Sequence, residues 1–369
     1  MRLVLDQEQE DLRALVREFL ADQAPMTKVR EVVDGKSGYD RELWRRMARD
    51  LGLTGLVIPE AYGGSGAGHV ERSIVAEELG RALVPTPFLS SAVLMVDALL
   101  ALDDVQAREE LLPAVTVGDV VGTVAVSESC PSWHGETTTS ARPDGDRWVL
   151  NGEKNLVIDG DIADVVLVYA ITALGPGFFL VRGDADGLTR DPLVTLDATR
   201  PLARLSFSDT PARKLDSRDA AAAKSRIADL AAVALAAEQA GGLGRAMELA
   251  VDYAKVRVQF GRLIGSYQAV KHGCVDSYVD CELCTSVVRY AAWVADHRVD
   301  ELPEAASLAR AVVSPAYFGV AARTILLHGG IGYTWEYDAH LYYKRAKTSE
   351  LLFGDPHEQR ALLADRLGI

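Results

Sequence analysis

The chain has 369 residues, too many for one minimal core, so two or three packed regions are expected. Hydrophobic residues make up 49% and aromatics only 7%; abundant Ala, Leu and Val point to a largely helical protein. A net charge of −14 repels phosphate backbones and anionic lipid, which argues against nucleic acid and membrane surfaces as partners. An anionic small ligand would need a local basic site set against that field.

The N-terminal segment has an acidic first turn and no uninterrupted apolar stretch of a secretory leader. Leu12, Leu15, Val16, Phe19 and Leu20 recur at helical spacing and form a one-sided apolar stripe. A second helix carries Leu43, Met47 and Leu51 and stops at Gly52, where a left-handed cap suits glycine. A glycine-rich loop, PEAYGGSGAG, separates it from a helix that starts at His69 and is closed by Pro85 and Pro87. One more helix runs through Leu94–Leu102.

From about residue 119 the texture becomes β-branched. VVGTVAVSES, RWVLNGEKNLVIDG, DVVLVYAI, GFFLVRG and LARLSFSD read as strands punctuated by tight turns, which suggests a small antiparallel barrel or sandwich. The Asp-rich stretch at 184–192 reads as a loop between strands. Ala-rich helical patterns return at about 218, the run AAAAKSR opening the first of them. The expected domains are helical 1–117, β 118–217 and a four-helix bundle 218–369, an α+β chain. Cys274, Cys281 and Cys284 fall on one face of a helical pattern. Packed thiols therefore explain the C-x-x-C at 281–284 better than a metal does, and a reducing cytoplasm follows. No run is charge-free and long enough to span a bilayer.

Four segments identify the chain together. They are LGLTGLVIPEAYGGSG at 51–66, WVLNGEKNLVIDG at 148–160, YAKVRVQFGRLIGSYQAVKH at 253–272 and LLHGGIGYTWEYDAHLYYKRAKT at 326–348. In order, spacing and α–β–α layout the whole chain resembles the acyl-CoA dehydrogenase family. The resemblance implies FAD, a β domain between two helical halves, an acyl-CoA substrate and a tetramer. Oxidation of an acyl thioester needs a carboxylate to take the α proton, a flavin to accept the β hydride and a polarised carbonyl. In most of the family the base is a Glu shortly beyond a YYKRAKT-like segment. Here that position is Phe353, followed by Gly354 and Asp355, and a phenyl ring takes no proton. Some branches place the base on the first helix of the C-terminal domain, where this chain has Ala231, and the neighbouring CoA-contacting Arg is Ala232. Glu238, two turns on, is a weak candidate base, against which stand a helix-surface carboxylate and an interface contact.

The family's flavin-ring half, supplied in cis, is built from Thr-Glu-Pro, Gly-Ser-Asp and Trp-Ile-Thr runs. The matching residues are Ser127-Glu128-Ser129, Ser132-Trp133-His134 and Leu156-Val157-Ile158, so the cis half is degraded. The pyrophosphate and adenosine half, supplied in trans to a neighbouring subunit, is retained as Arg257, Gln259, Phe260, Gly261, Gln268, Gly329 and Gly330. A guanidinium fork suits a diphosphate and glycines admit close backbone approach, although Arg257 could equally cap a helix and the glycines could be only a turn. The family Gln three residues before the double glycine is Leu326.

The resemblance is to the less complete subunit of heterotetrameric acyl-CoA dehydrogenases of actinobacterial sterol side-chain degradation. There a Glu-bearing homologue completes the site in an α2β2 assembly, and loss of the second site could leave room for a bulky polycyclic acyl-CoA. Two other readings stand beside it: a self-sufficient homotetrameric flavoenzyme, and a scaffold that has lost flavin. His328 reads as loop packing or a flavin contact. Trp335, Tyr337, Tyr342 and Tyr343 read as interface or core-capping residues, and Lys344, Arg345 and Lys347 as a solvated helix face.

Overall fold

The structure is a computed structural model that describes residues 3–35 and 38–369. Six α-helices open the chain: α1 (Gln7–Gln23), α2 (Met26–Asp34), α3 (Arg41–Arg49), α4 (His69–Ala82), α5 (Val96–Ala101) and α6 (Val105–Thr116). Asp6 starts α1 through a capping box with Gln9, and Asp40 caps α3 by accepting from the N–H groups of Glu42 and Leu43. Of the α1 stripe, Val16 and Leu20 are buried while Leu15 is 48% exposed, so the seam against α4 is narrower than the spacing suggested. Gly52 closes the turn after α3 with a positive φ of 65°. The helix that ends in α5 begins as a π-helical run, Phe88–Met95, buried throughout.

Seven strands follow: β1 (Gly122–Ala125), β2 (Ser140–Asp144), β3 (Arg147–Ile158), β4 (Val165–Thr172), β5 (Gly175–Arg182), β6 (Leu188–Pro192) and β7 (Leu202–Lys214). Antiparallel ladders join β2–β3–β7–β5–β4, a single parallel bridge joins β4 to β2, and the ring closes as a small barrel. β1 adds parallel to β4. β6 corrects the reading of 184–192 as a loop: its polar residues pair with β7 as an edge strand. Val166, Val168, Phe179, Val181 and Leu205 form a core of the barrel's own.

The C-terminal part consists of α7 (Ala220–Val256), a hairpin of β8 (Val258–Gln259) and β9 (Arg262–Leu263), α8 (Gln268–His297), α9 (Leu302–His328), α10 (Ala339–Leu351) and α11 (Pro356–Leu367). The alanines of α7 let its neighbours come close. A β-carbon on Gly80 of α4 would lie 1.9 Å from the carbonyl oxygen of Glu238, and one on Gly241 would lie 1.8 Å from that of Glu77. Backbone touches backbone there, and each fully buried Leu around it, such as Leu235 and Leu243, adds about 1.5–3 kcal/mol. α9 is apolar and long enough to cross a membrane by length and composition. Instead it packs against α7, α8, α10 and α11 and carries the buried Arg310. The four cysteines are free thiols, with Cys284 buried and Cys281 half-buried. Burial pushes Cys284 up to about 12 and Cys281 to about 11, as inert packed thiols require. Among the described residues no cluster of His, Cys, Asp or Glu is arranged to hold a metal.

Candidate active site

The loop between β1 and β2 is folded around one carboxylate. Glu128 accepts from Thr138 N–H at 2.7 Å, Thr138 Oγ at 2.6 Å, Thr139 N–H at 3.0 Å and Lys154 Nζ at 2.7 Å. Burial works against its charge, but the hydrogen bonds from Lys154, Thr138 and Thr139 hold it at about 2. Lys154, on β3, is fully buried, also donates to the Val126 carbonyl at 3.0 Å, and is lowered to about 8 by burial. Ser132-Trp133-His134 lie in the same β1–β2 loop, and Leu156-Val157-Ile158 follow Lys154 along β3.

Trp133 and Phe353 are 4% and 5% exposed, and their rings meet edge to face with centroids 5.2 Å apart. Ser132 Oγ donates to the carboxylate of Glu358 on α11, so the β-domain loop and the C-terminal loop are also joined by a polar contact. Leu156 and Phe353 both hold left-handed backbone, at φ 55° and 60°, a conformation unusual for bulky residues. Gln359 Nε2 donates to the Phe353 carbonyl at 2.9 Å. Asp355 turns to cap α11, accepting from His357 and Glu358 N–H, and is not available as a base.

Behind this loop lies a residue that sequence reasoning missed. Arg310 of α9 is fully buried and donates from Nη2 to the carbonyls of Ser349 at 2.9 Å and Leu352 at 2.7 Å, and from Nη1 to Gln239 Oε1. The cation sits on the carbonyl end of α10, where the helix dipole favours it. Burial still lowers it to about 9. Its position on the apolar stripe of α9, among Ala306, Val313 and Tyr317, was the available signal.

Glu238 is no helix-surface carboxylate; it is held in a partly buried ion-pair network. Its Oε1 accepts from Arg345 Nη1 at 2.7 Å and from Arg200, and it sits among buried side chains of α4, α7 and α10. Arg345 also binds Asp197 at 2.8 Å and the hydroxyl of Thr199. Burial opposes its charge, but Asp197 and Glu238 more than offset this and push Arg345 up. Arg345 is thus no part of a solvated face, whereas Lys347 pairs with Glu350 and Lys344 lies 4.0 Å over the Trp335 ring. Ala231 and Ala232 are buried in α7, with no proton acceptor in either side chain.

The opposite half is open. Arg257 terminates α7 through its backbone N–H, bonded to the Tyr253 carbonyl at 2.9 Å, and its side chain is exposed. The hairpin that follows projects Phe260, 92% exposed at φ 51°, with Gln259 beside it, and Gln268 begins α8 on the surface. Gly329 and Gly330 are exposed, with nothing within 4 Å of where a β-carbon would stand. One stack brings these distant motifs together. The buried His328 ring lies 4.3 Å from Tyr253, one turn before Arg257, and 4.4 Å from Tyr337. Its Nδ1 is 2.7 Å from the Thr324 carbonyl, and burial lowers the imidazole, so His328 acts in packing. Tyr342 is buried and its hydroxyl donates to the Arg81 carbonyl, while Trp335 and Leu326 are exposed. Val256 at the end of α7, Val258 and Leu263 on the hairpin and Val275, Tyr278, Val279 and Leu283 on α8 add exposed apolar surface, beside a groove of about 600 Å³.

Comparison with known proteins agrees with this layout. Residues 6–119 match the acyl-CoA dehydrogenase N-terminal domain, and residues 218–368 match the acyl-CoA dehydrogenase C-terminal domain. Acyl-CoA dehydrogenase IpdE2 of Mycobacterium tuberculosis is 37% identical over 356 residues, covering 95% of each chain. Among solved structures, a chain of the Tcur3481–Tcur3483 steroid ACAD superposes with a TM-score of 0.89 at 32% identity over 98% of both chains. A chain of the ChsE4–ChsE5 complex from Mycobacterium tuberculosis superposes with a TM-score of 0.91 at 28% identity, over 100% of this chain and 99% of that one. By fold, by both terminal domains and by sequence over nearly its whole length, the chain belongs to the acyl-CoA dehydrogenase family of flavoprotein oxidoreductases.

Proposed function

We propose that this chain is the incomplete subunit of a heteromeric acyl-CoA dehydrogenase. It supplies the FAD pyrophosphate and adenosine half of a site whose ring-binding half and catalytic carboxylate come from a Glu-bearing homologue, as α2β2. The observation that carries this reading is an asymmetry. The cis half is filled by the buried Trp133–Phe353 pair, while Arg257, Gln259, Phe260, Gln268, Gly329 and Gly330 are exposed around open space. The residues present therefore fit the tail of FAD and not its ring.

When bound, FAD supplies the acceptor for the hydride leaving the β-carbon. This chain's own part is binding and orientation. The Arg257 fork suits two diphosphate oxygens, backbone N–H groups at Gly329-Gly330 can approach phosphate closely, and the Gln259 and Gln268 amides add uncharged hydrogen bonds. Proton abstraction needs a carboxylate that this chain does not present, since Phe353 stands at the base position and Glu238 is held by two guanidiniums. That arrangement weighs against a self-sufficient homotetramer, and the exposed tail half weighs against a scaffold that has lost flavin. The substrate is an acyl-CoA thioester, of the steroid side-chain class; similarity to a chain of a steroid ACAD supports that choice. The free thiols support a reducing cytoplasm as the compartment.

The visible absorption of the natively purified chain tests the reading. Little or no flavin is expected alone, with flavin and acyl-CoA-dependent bleaching once a Glu-bearing partner is co-expressed. Near-stoichiometric flavin in the lone chain overturns it.

A further inference from the structure

Three buried guanidiniums gather where the barrel meets the helices on either side of it. Arg200 stands just before β7, Arg310 on α9 and Arg345 on α10, and none is more than 4% exposed. Their committed counter-charges are fewer. Glu238 accepts from both Arg200 and Arg345, and Asp197 pairs with Arg345 at 2.8 Å. Arg310 has only neutral hydrogen-bond partners, the Gln239 amide and backbone carbonyls at the end of α10 such as those of Ser349 and Leu352. The helix end offsets about half an elementary charge there. The remaining carboxyl is that of Asp159, which is buried and receives the Ser90 hydroxyl. Burial raises it to about 7, although Arg200 and Arg345 favour its charged form. With Asp159 protonated, these buried groups hold three positive charges against two negative ones.

Beside that excess lies a cavity of about 30 Å³, room for about two water-sized bodies. Asp159, Arg200, Glu238 and Arg345 line it, while α4 and the π-helical run present apolar side chains alone. Asp161 also faces Asp159 but is partly exposed and lies outside the lining. Arg200 gives one nitrogen to Glu238, and its Nε and Nη1 are buried without a partner. Unmet guanidinium N–H groups in a dry interior are costly, and here they border open space.

We propose that this cavity is a site for one small monovalent anion of the halide class, held by the free N–H groups of Arg200. The anion and an ionised Asp159 are alternatives: either one completes the charge balance, and the two together leave an uncompensated negative charge in a buried setting. Halide binding is therefore coupled to a proton on Asp159. Water fills the space but supplies no charge, and a four-oxygen anion such as sulfate is too large for it. In a chain whose net charge is −14, this is a local positive site set against the overall field. The site stands apart from the half-site reading and shares none of its residues.

The unaltered full chain carries the first test. Crystals soaked in sodium bromide should show one anomalous peak in the cavity beside Arg200. Water alone in that cavity, or bromide only at the surface, overturns the proposal. In solution at about pH 6, chloride and bromide should raise the melting temperature by a few degrees and saturate, with no such rise in sodium gluconate of equal ionic strength. The halide-specific rise should shrink by about pH 9, because ionised Asp159 then takes the place of the anion. A rise that gluconate reproduces, or that pH leaves unchanged, overturns the proposal as well. Asp159→Asn, neutral at every pH, should keep the halide response at the higher pH, and Arg200→Met should lose it at both. A folded Arg200→Met chain that still responds to halide, or an Asp159→Asn chain whose response falls with pH as before, sinks the assignment. Should Arg200→Met fail to fold, the bromide map of the unaltered chain decides alone.

Discussion

The region closed by Trp133 and Phe353 and the region around Arg257, proposed above as the ring and tail halves of a flavin site, are opposites. The cis half is dry, aromatic and cross-braced by buried ions, whereas the tail half is a set of exposed side chains on a hairpin, a helix start and a glycine turn. The first region is part of the packed core, so its side chains bear on the stability of the chain, whereas the second is not. On the half-site reading proposed above, the exposed charges and apolar groups around Arg257 are the surface that meets a ligand and a partner.

The comparison breaks if the two halves respond alike to truncation. Trp133→Ala should cost about 3–5 kcal/mol in urea unfolding, as large aromatic truncations in cores do, and leave the flavin content of the assembled enzyme unchanged. Arg257→Ala should do the reverse. Its stability stays within about 0.5 kcal/mol of the unaltered chain, while FAD affinity of the assembly, read by titration, falls roughly 10- to 100-fold for loss of charge-assisted bonds. A result in which Trp133→Ala empties the flavin site, or Arg257→Ala unfolds the chain, would erase the distinction.

Glu238→Gln sharpens the same contrast near the cleft. Arg200 and Arg345 lose part of a charged partner in a buried setting, so unfolding free energy should fall by about 1–3 kcal/mol. Turnover of the assembled enzyme should persist, and its abolition without loss of stability would restore Glu238 as a base. A further contrast concerns pH. Asp159, at the end of β3, is fully buried beside Ser90, and burial raises it from the ordinary 3.8 to about 7. A raised carboxyl favours the protonated folded state, so its contribution is complete below 3.8 and is lost as pH rises through about 7. Asp159→Asn should therefore gain stability over the unaltered chain as pH rises across that window, measured by denaturant midpoint. Arg257→Ala should show no such trend.

Much of the cleft's logic is readable from residue identity. Phe353 and Ala231 offer no proton acceptor, and Arg257 with Gly329-Gly330 offers the groups that the half-site reading gives to phosphate, because the chemistry of each group is local. Helical period and β-branched runs likewise locate the long helices and five of the seven barrel strands. β6 escapes, since an edge strand needs only one ladder and tolerates polar residues, and Leu15 misleads, since period gives the direction of a stripe but not its width.

Composition and motif order are enough to place this chain in its α–β–α layout, its family resemblance and its asymmetry of lost and kept groups, all properties of side-chain type and spacing along the chain. Only the folded chain decides that Trp133 meets Phe353, that Arg345 is buried between Asp197 and Glu238, and that Arg310 braces the loop at the base position. Those contacts join residues 42 to 220 positions apart. Whether a charge is solvated or buried, and whether a lost site is open or filled, depends on which distant groups arrive beside it when the core closes.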